Sequence, residues 1–403
     1  MNEHIVIVGA GQSGAQAVAS LRSEGFTGAM TMIGDEPFPP YQRPPLSKAY
    51  LNGSMERERL FLKPDAFYAD AKCELILGVG ATHIDRARKV VVLADGREIA
   101  YDKLLIATGS RVRKIPVPGA DLPGIFYLRG IADVDALREK FQSVKNLAIV
   151  GGGYIGLEVA AVGRKAGLEV TVFEAMDRVM ARAVSKPISD FYEKVHRDAG
   201  VNLLLNTGVE RFEGEGALQA IRAGGKSYAA EAALVGIGIG PNVELAKDAG
   251  LKCDDGIVVD NGAQTEDPNI FAAGDCTKHT GREGLQLRLE CVQNAIDQAK
   301  HAALTMTGKS TNYQEVPWFW SDQYDLKLQI AGLIRPTDSI VLRGDPASRK
   351  FAAFHLRDGV VAAVESVNAA PEYLMGRKMI AERKAVDPAT LADMSVSMKT
   401  IAS

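Results

Sequence analysis

The sequence LAIVGGGYIGLEVAAVGRKAGLEVTVFE, residues 147–174, has the order of a strand, a glycine turn, a helix and a second strand. Gly151, Gly153 and Gly156 fit the pattern G-x-G-x-x-G, and Glu174 follows about twenty residues later. In this pattern the first glycine makes a tight turn, the second lets a pyrophosphate approach the backbone, and the third lets the helix pack on the strand. The sequence therefore predicts a dinucleotide-binding unit in which Glu174 accepts hydrogen bonds from ribose hydroxyls.

The start of the chain has the same order of elements. Gly9, Gly11 and Gly14 form a second G-x-G-x-x-G between an apolar run and a helical pattern, and Asp35 is the corresponding acid. Two such units in one chain favour one tightly held dinucleotide, usually FAD, and one that exchanges, usually a nicotinamide.

Length and charge limit the classes of protein. A chain of 403 residues predicts two or three domains. The net charge of −3 gives no reason to expect nucleic acid or an anionic membrane as a partner. No apolar run approaches the roughly 20 residues that span a bilayer. Because the first residues, MNEHIVIVGAG, lack a basic segment, we expect no signal peptide and a cytoplasmic protein.

The four cysteines, Cys73, Cys253, Cys276 and Cys291, do not form a C-x-x-C motif. The sequence therefore suggests neither a metal site nor a redox disulfide, and scattered thiols are typical of a reducing compartment. We expect Cys276 and Cys291 at helix starts, buried and inert.

Two further segments carry candidate cofactor residues. In PFPPYQRPPLSK (37–48) the prolines stiffen the chain, so Lys48 either places a positive charge beside a flavin or is a solvated surface lysine. NIFAAGD (269–275) reads as a strand that delivers Gly274 and Asp275 to a helix start. There Asp275 either binds a ribityl or ribose hydroxyl or caps the helix.

The character of the sequence changes after Thr311. Both tryptophans of the chain fall in the aromatic cluster of residues 318–324, which either belongs to a core or lies at the edge of a cofactor. Short alternating segments and a helix near 371–383 then predict a small α+β domain.

Several motifs in order carry a family resemblance: PPLSKAYL (44–51), GGGYIGLEVAA (151–161), RLECVQNA (288–295) and PWFWSDQY (317–324). They resemble the FAD-dependent NADH:ferredoxin reductases of bacterial oxygenase systems, the family of putidaredoxin reductase and of the ring-hydroxylating dioxygenase ferredoxin reductases. The resemblance implies an α/β fold of glutathione-reductase type, with two Rossmann-like dinucleotide-binding domains and a C-terminal α+β domain. The implied limits are 1–112 with 241–317 for FAD, 113–240 for NAD, and 318–403 for a domain that faces the ferredoxin.

The resemblance also implies site residues. The predicted FAD contacts are Gly9, Gly11, Ser13, Gly14, Asp35, Arg43, Lys48, Ala81, Thr108, Gly109, Arg129, Gly274, Asp275 and Val292. The predicted pyridine nucleotide contacts are Gly151, Gly153, Ile155, Gly156, Glu158 and Glu174. Lys48, Glu158 and Trp320 are the expected catalytic residues: Lys48 sets charge, Glu158 lies near the nicotinamide, and Trp320 lies by the flavin on the electron exit.

The expected reaction is transfer of electrons from NADH to FAD and then singly to a 2Fe-2S ferredoxin, which feeds a Rieske dioxygenase or a haem-thiolate monooxygenase. No arginine directly follows Glu174, which favours NADH over NADPH, although Arg178 is close in sequence. Disulfide reduction lacks its nucleophile, because residues 13–24 and 43–48 contain no cysteine. An NADH oxidase or an apoptosis-inducing-factor-like flavoprotein is the alternative. The sequence leaves the identity of the ferredoxin and the oligomeric state open.

Overall fold

The computed structural model describes residues 3–403, and the chain divides into two compact units. The first unit contains Met1–Gln42, Arg57–Arg111 and Gly240–Pro317; the second contains Arg43–Glu56, Val112–Ile239 and Trp318–Ser403. This division follows compactness alone, and the domain limits predicted from the sequence stay a prediction.

The first unit is built on a five-stranded parallel sheet. Its central strand His4–Val8 is apolar after His4 and is buried between neighbours, as expected for a parallel strand covered on both faces. The order of the strands across the sheet is Ile270–Ala272, Lys103–Ile106, His4–Val8, Ala29–Gly34, Cys73–Leu77.

Smaller elements complete the first unit. Its helices are Gln12–Ser23, Asp65–Asp70, Glu244–Asp248 and Val292–Met306, with a 3-10 turn at Arg57–Leu60. One antiparallel sheet contains Ala81–Asp85, Val90–Leu93 and Glu98–Ala100. A three-stranded sheet contains Ile257–Val258, Thr277–Thr280 and Gln286–Leu287. The chain passes between the units at the short strands Ser110–Val112 and Ile239–Pro241.

The second unit has its own five-stranded parallel sheet. The order of its strands is Asn202–Leu204, Glu169–Phe173, Asn146–Val150, Ala232–Val235, Ile125–Phe126. Three strands, Val209–Glu213, Ala220–Ala223 and Lys226–Ala229, form a separate antiparallel sheet. The helices of this part are Ile131–Phe141, Tyr154–Lys165 and Lys186–Asp198, with a 3-10 turn at Pro44–Ser47.

The last 86 residues of the second unit, Trp318–Ser403, form an antiparallel sheet with helices. The order of its strands is Trp318–Gln323, Leu326–Gly332, Val360–Val367, Lys350–Arg357, Ser339–Asp345. Its helices are Ala370–Glu382, Pro388–Ala392 and Met398–Ala402, with a 3-10 turn at Pro346–Ser348.

One expectation for the first unit is wrong. Asp275 and Cys276 do not begin a helix, because Thr277–Thr280 is a strand whose residues are alternately fully and partly buried. The helix begins later, at Val292, and Cys291 is its N-cap, with Sγ accepting a hydrogen bond from the Asn294 N–H. The alternation of the sequence TKHT, with β-branched residues at both ends, favours the strand.

Within residues 3–403, no helix combines the length and the apolar character needed to cross a bilayer.

Candidate cofactor and electron-transfer sites

The first glycine turn leaves its strand at Gly9, which only glycine fits. Its φ of +125° is a conformation that other residues avoid, and a Cβ there would lie 2.1 Å from the Ala107 carbonyl oxygen. Gly14 must also lack a side chain, since its Cβ would lie 2.2 Å from the Gly9 oxygen. The Gly9 N–H donates to Ile33 at 2.8 Å, which fixes the turn against the next strand.

The turn opens at the N-terminus of helix Gln12–Ser23. Gly11 is the N-cap, makes no side-chain cap, and has nothing within 4 Å of an added Cβ. The first helical turn carries no acid, so its free N–H groups favour an anion. Gly274, at a φ of +90°, packs here too, because a Cβ on it would lie 2.5 Å from Ser13 Oγ. The structure thus brings Gly11, Ser13 and Gly274 together in a cradle that fits a dinucleotide.

Two side chains that the sequence analysis missed hold the predicted flavin residues of the first unit. Gln298 Oε1 accepts from the Gly274 N–H at 2.8 Å and from Thr277 Oγ1 at 2.7 Å. Asn242 makes two hydrogen bonds with Thr108. Its side-chain Nδ2 donates to the Thr108 backbone oxygen at 2.9 Å, and its backbone oxygen accepts from Thr108 Oγ1 at 2.7 Å. No sequence motif marks Gln298, whereas Asn242 directly follows the glycine-rich strand end and Pro241.

The other predicted residues of the first unit lie on several different elements. Asp275 lies in the turn between strands Ile270–Ala272 and Thr277–Thr280, so it is not a helix cap, and it accepts a hydrogen bond from Ser110 Oγ at 2.8 Å. Asp35 is exposed directly after strand Ala29–Gly34. Ala81 begins a strand and Val292 begins a helix. Gly109 follows Thr108 at a φ of +65°.

The second glycine turn has the same construction. Gly151 has a φ of +106°, and its Cβ would lie 2.4 Å from the Gly236 oxygen. A Cβ on Gly156 would lie 2.2 Å from the Gly151 oxygen. Gly153 is the uncapped N-cap of helix Tyr154–Lys165, and an added Cβ there meets nothing within 4 Å. This cradle also fits the pyrophosphate of a dinucleotide.

The Glu174 carboxylate is hydrogen-bonded to the backbone at this second turn. Its Oε2 accepts from the Gly152 N–H at 2.6 Å, and its Oε1 accepts from the Met176 N–H at 2.8 Å. Arg178, which could have bound a 2′-phosphate, instead donates to the carbonyl oxygens of Val184 at 2.9 Å and Ala181 at 2.7 Å. The acid is therefore fixed at the turn, and the nearby guanidinium is occupied by backbone carbonyls.

Lys48 and Glu158, predicted separately, form one ion pair in the second unit. Lys48 Nζ lies 2.7 Å from Glu158 Oε2, and the Glu158 side chain is 3% exposed. Ser47 Oγ donates to the same Oε2, and Ser321 Oγ donates to Oε1 at 2.6 Å. Lys48 is therefore not a solvated surface lysine. Both serines lie in segments already singled out, but nothing in the sequence indicates that they meet Glu158.

Further predicted residues lie in the same unit. Arg43 donates from its guanidinium to the backbone oxygen of Arg129, so the proline-rich segment is hydrogen-bonded to a residue two positions before helix Ile131–Phe141. Ile155 is 41% exposed on the second residue of its helix.

The aromatic cluster is not a buried core. Trp318, Phe319 and Trp320 are all half-buried, and the rings of Trp318 and Trp320 lie 5.6 Å apart between centroids. Phe319 packs against Tyr154, the first residue of the helix that follows the second glycine turn, with centroids 4.6 Å apart. Partly open aromatic faces fit contact with a cofactor or a partner better than a sealed core.

The cysteines are poor nucleophiles. Burial raises the pKa of Cys73 to about 12 and of both Cys276 and Cys291 to about 11, and it also raises the pKa of Cys253. All four are free thiols. Because the thiolate is the reactive form, these environments oppose disulfide chemistry.

Comparison with known proteins identifies the family. Residues 3–299 match the family described as pyridine nucleotide-disulphide oxidoreductase, and residues 318–402 match the one described as reductase C-terminal. The chain is 46% identical to rhodocoxin reductase of Rhodococcus erythropolis, over 98% of this chain and 93% of the relative. It is 40% identical to putidaredoxin reductase of Pseudomonas putida, over 99% and 97%. The chain belongs to the ferredoxin reductases of this oxidoreductase family.

Solved structures of ferredoxin reductases have the same fold. The ferredoxin reductase for the CYP199A2 system from Rhodopseudomonas palustris superposes with a TM-score of 0.97 at 41% identity, over 100% of both chains. The covalent complex of putidaredoxin reductase with putidaredoxin gives 0.96 at 39% identity, over 99% and 98%. These comparisons confirm the predicted family and the fold class of two Rossmann-like domains with a C-terminal α+β domain. The roles of individual site residues stay predictions.

Proposed function

We propose that this ferredoxin reductase carries electrons from NADH through FAD to a 2Fe-2S ferredoxin, one at a time, and that the ferredoxin serves an oxygenase. The observation that carries the proposal is the pair of glycine turns, which have the same geometry and lie in one chain with a reductase C-terminal domain. Enzyme class and cofactor pair agree with the family to which the chain belongs.

The two turns suit different nucleotides. We assign FAD to the first turn, with Gly9, Gly11, Ser13 and Gly14 at the pyrophosphate and Asp35 at the ribose. Asp275, which accepts a hydrogen bond from Ser110, is proposed to bind a ribityl or ribose hydroxyl of FAD. We assign the pyridine nucleotide to the second turn, with Glu174 at its ribose.

When bound, FAD supplies a ring that accepts a hydride from NADH and releases the electrons singly. The chain's own part is binding, orientation and charge. We propose that Glu158 orients the nicotinamide. We also propose that Lys48, whose positive charge is paired with the Glu158 carboxylate, determines the electrostatic field near the reacting ring. Trp320, half-buried on a strand of the C-terminal sheet, is the proposed exit for electrons.

Glu174 and Arg178 support NADH over NADPH. A 2′-phosphate placed beside the Glu174 carboxylate meets like charge, and the Arg178 guanidinium already donates to two backbone carbonyls. We therefore propose that NADPH is the poor substrate.

The solved complex of a relative with putidaredoxin supports a ferredoxin as partner. The free thiols support a reducing compartment, and we propose the cytoplasm.

Reduction of cytochrome c by the purified flavoprotein tests the proposal, with and without a 2Fe-2S ferredoxin. We expect a large ferredoxin-dependent rate with NADH and at least tenfold less with NADPH, roughly the effect of one charged contact. Consumption of NADH by oxygen with no gain from ferredoxin would instead identify an oxidase.

A further inference from the structure

A row of hydrogen bonds inside the second unit ends at the Glu158 carboxylate. Tyr324 Oη lies 3.3 Å from His196 Nδ1, and His196 Nε2 lies 2.8 Å from Gln323 Oε1. Gln323 Nε2 donates to Ser321 Oγ at 3.2 Å, and Ser321 Oγ donates to Glu158 Oε1 at 2.6 Å. Ser321 and His196 are fully buried, Gln323 is 1% exposed and Glu158 is 4% exposed.

The chemistry of the groups fixes the direction of this row. An amide oxygen only accepts, so His196 Nε2 must carry the hydrogen that it shares with Gln323. Burial lowers the pKa of His196 to about 4, so the ring is neutral at physiological pH and its Nδ1 accepts from the Tyr324 hydroxyl. Every donor from Tyr324 to Ser321 therefore points toward Glu158, an order in which successive bonds strengthen one another.

The two oxygens of Glu158 consequently have separate partners. Oε2 receives Lys48 and Ser47, while Oε1 receives only Ser321 among the hydrogen bonds found in residues 3–403. A carboxylate held on one oxygen turns about its last bond, whereas one held on both is fixed. The orientation of Oε2 toward Lys48 thus depends on a bond made at the opposite oxygen.

We propose that Ser321 is a positioning residue, which fixes the Glu158 carboxylate and through it Lys48, and that Gln323 and His196 hold Ser321 in place. Ser321 directly follows Trp320 on strand Trp318–Gln323, and neighbouring residues of a strand point to opposite faces. The same short segment therefore carries the proposed electron exit on one face and the support of the charge pair on the other.

The functional consequence rests on the proposed roles of Lys48 and Glu158 in hydride transfer. Ser321→Ala removes the hydroxyl that donates to Oε1, so we expect flavin reduction by NADH in anaerobic stopped flow to slow about tenfold, the effect of a lost hydrogen bond to a charge. Flavin content should not change. Ser321→Thr keeps the hydroxyl and should recover the rate to within roughly twofold. Gln323→Met, one link away, should slow it by roughly threefold.

A second readout does not depend on catalysis. We would measure the rate at which an acylating reagent labels the Lys48 amine, by mass spectrometry of the holoprotein, with the exposed Lys186 as internal standard. Loosening of the pair by Ser321→Ala should raise Lys48 labelling by roughly threefold or more, and Glu158→Gln should raise it further. Ser321→Thr should label like the wild type.

Ser189→Ala is the matched control. Ser189 is a fully buried serine of the same unit, but its hydroxyl donates to the Val179 oxygen and does not contact Glu158. The proposal is overturned if Ser321→Ala leaves Lys48 labelling at the wild-type rate, or if Ser189→Ala raises it equally. If the wild-type flavin is not reduced by NADH, the proposed function fails while the labelling still decides the role of Ser321.

Discussion

The two glycine turns exclude side chains at corresponding positions, but they differ in the contacts of the acid that follows each one, Asp35 or Glu174. In both, the first glycine lies against a carbonyl oxygen of a neighbouring strand segment, Ala107 in one unit and Gly236 in the other. In both, the N-cap glycine faces open space. In both, the first glycine N–H donates to the adjacent strand at 2.8 Å, to Ile33 or to Phe173.

The difference lies one residue further along the chain. The register pairs Val8 with Ile33 and Val150 with Phe173, so Gly34 occupies in the first unit the place that Glu174 occupies in the second. Gly34 accommodates Ala10, since a Cβ on Gly34 would lie 2.6 Å from the Ala10 Cβ.

The second turn reverses this arrangement of small and large residues. Gly152 accommodates Glu174, since a Cβ on Gly152 would lie 3.1 Å from Glu174 Oε2. The second turn is thus braced by Glu174, the acid that is proposed to bind the ribose. The first turn leaves Asp35 exposed and is completed by Gly274, which Gln298 holds. We infer that the second site recognises the ribose through a fixed acid, and that the first relies on residues distant in sequence.

Substitution of the first glycine of each turn should have the largest effect. In Gly9→Ala and Gly151→Ala the new Cβ would overlap a backbone oxygen at a positive φ, which costs at least about 3 kcal/mol. We expect Gly9→Ala to yield little yellow protein. We expect Gly151→Ala to lower thermal stability and to abolish NADH-driven flavin reduction. If the variants had the same Tm and the same rates as the wild type, the turns would tolerate a side chain.

Substitution of Glu174 should have the next largest effect. Glu174→Ala leaves the Gly152 N–H without its acceptor and removes the proposed partner of the ribose, so we expect the Kd for NADH to rise about 10- to 100-fold. Glu174→Gln keeps an acceptor oxygen, and we expect a smaller loss with a narrower preference for NADH over NADPH. The measurement is an anaerobic titration of flavin bleaching with each nucleotide. Asp35→Ala removes the proposed partner of the FAD ribose and should lower the flavin content, but it should not change the Kd for either nucleotide in the protein that retains flavin.

Each unit contains a buried histidine whose pKa is lowered by burial to about 4: His279 in the first and His196 in the second. Since this lies below the ordinary value of 6.5, each stabilises the fold fully above pH 6.5 and loses that contribution as the pH falls toward 4. Between pH 7.5 and 5 the loss is at most about 2 kcal/mol per histidine.

Urea unfolding of the holoprotein at both pH values checks this, with His196→Gln and His279→Gln. Each variant should show a smaller drop in stability on acidification than the wild type. If both variants lost as much stability on acidification as the wild type, these rings would already be protonated in the folded protein or would not titrate in this range.

Gln298 should give the smallest effect. Gln298→Met removes the acceptor of the buried Gly274 N–H, and we expect FAD to dissociate about tenfold faster, with little change in the Kd for NADH. Flavin release during dialysis, followed by fluorescence, measures it. An unchanged release rate would show that the first turn does not need this support.

The sequence predicted the parts of this comparison that depend on local order. The glycines, the strands around them and Glu174 are recognisable because the turn, the helix start and the strand end lie within about thirty residues. Gln298 and Ser321 were missed because their partners are 24 and 163 positions away in sequence. The helix expected after Asp275 was wrong because the strand there is only four residues long and pairs with chain segments that the sequence pattern does not reveal.

The most direct test of the central claim, that the first turn holds the flavin and the second the pyridine nucleotide, is the pair Gly11→Ala and Gly153→Ala. Neither added methyl meets an atom within 4 Å, so both proteins should fold, and only a bound pyrophosphate would feel the change. Bound flavin and the Kd for NADH are measured by absorbance and by anaerobic bleaching. The account predicts lost flavin in Gly11→Ala, and full flavin with weakened NADH binding in Gly153→Ala. Loss of flavin in Gly153→Ala, with Gly11→Ala unaffected, would contradict it.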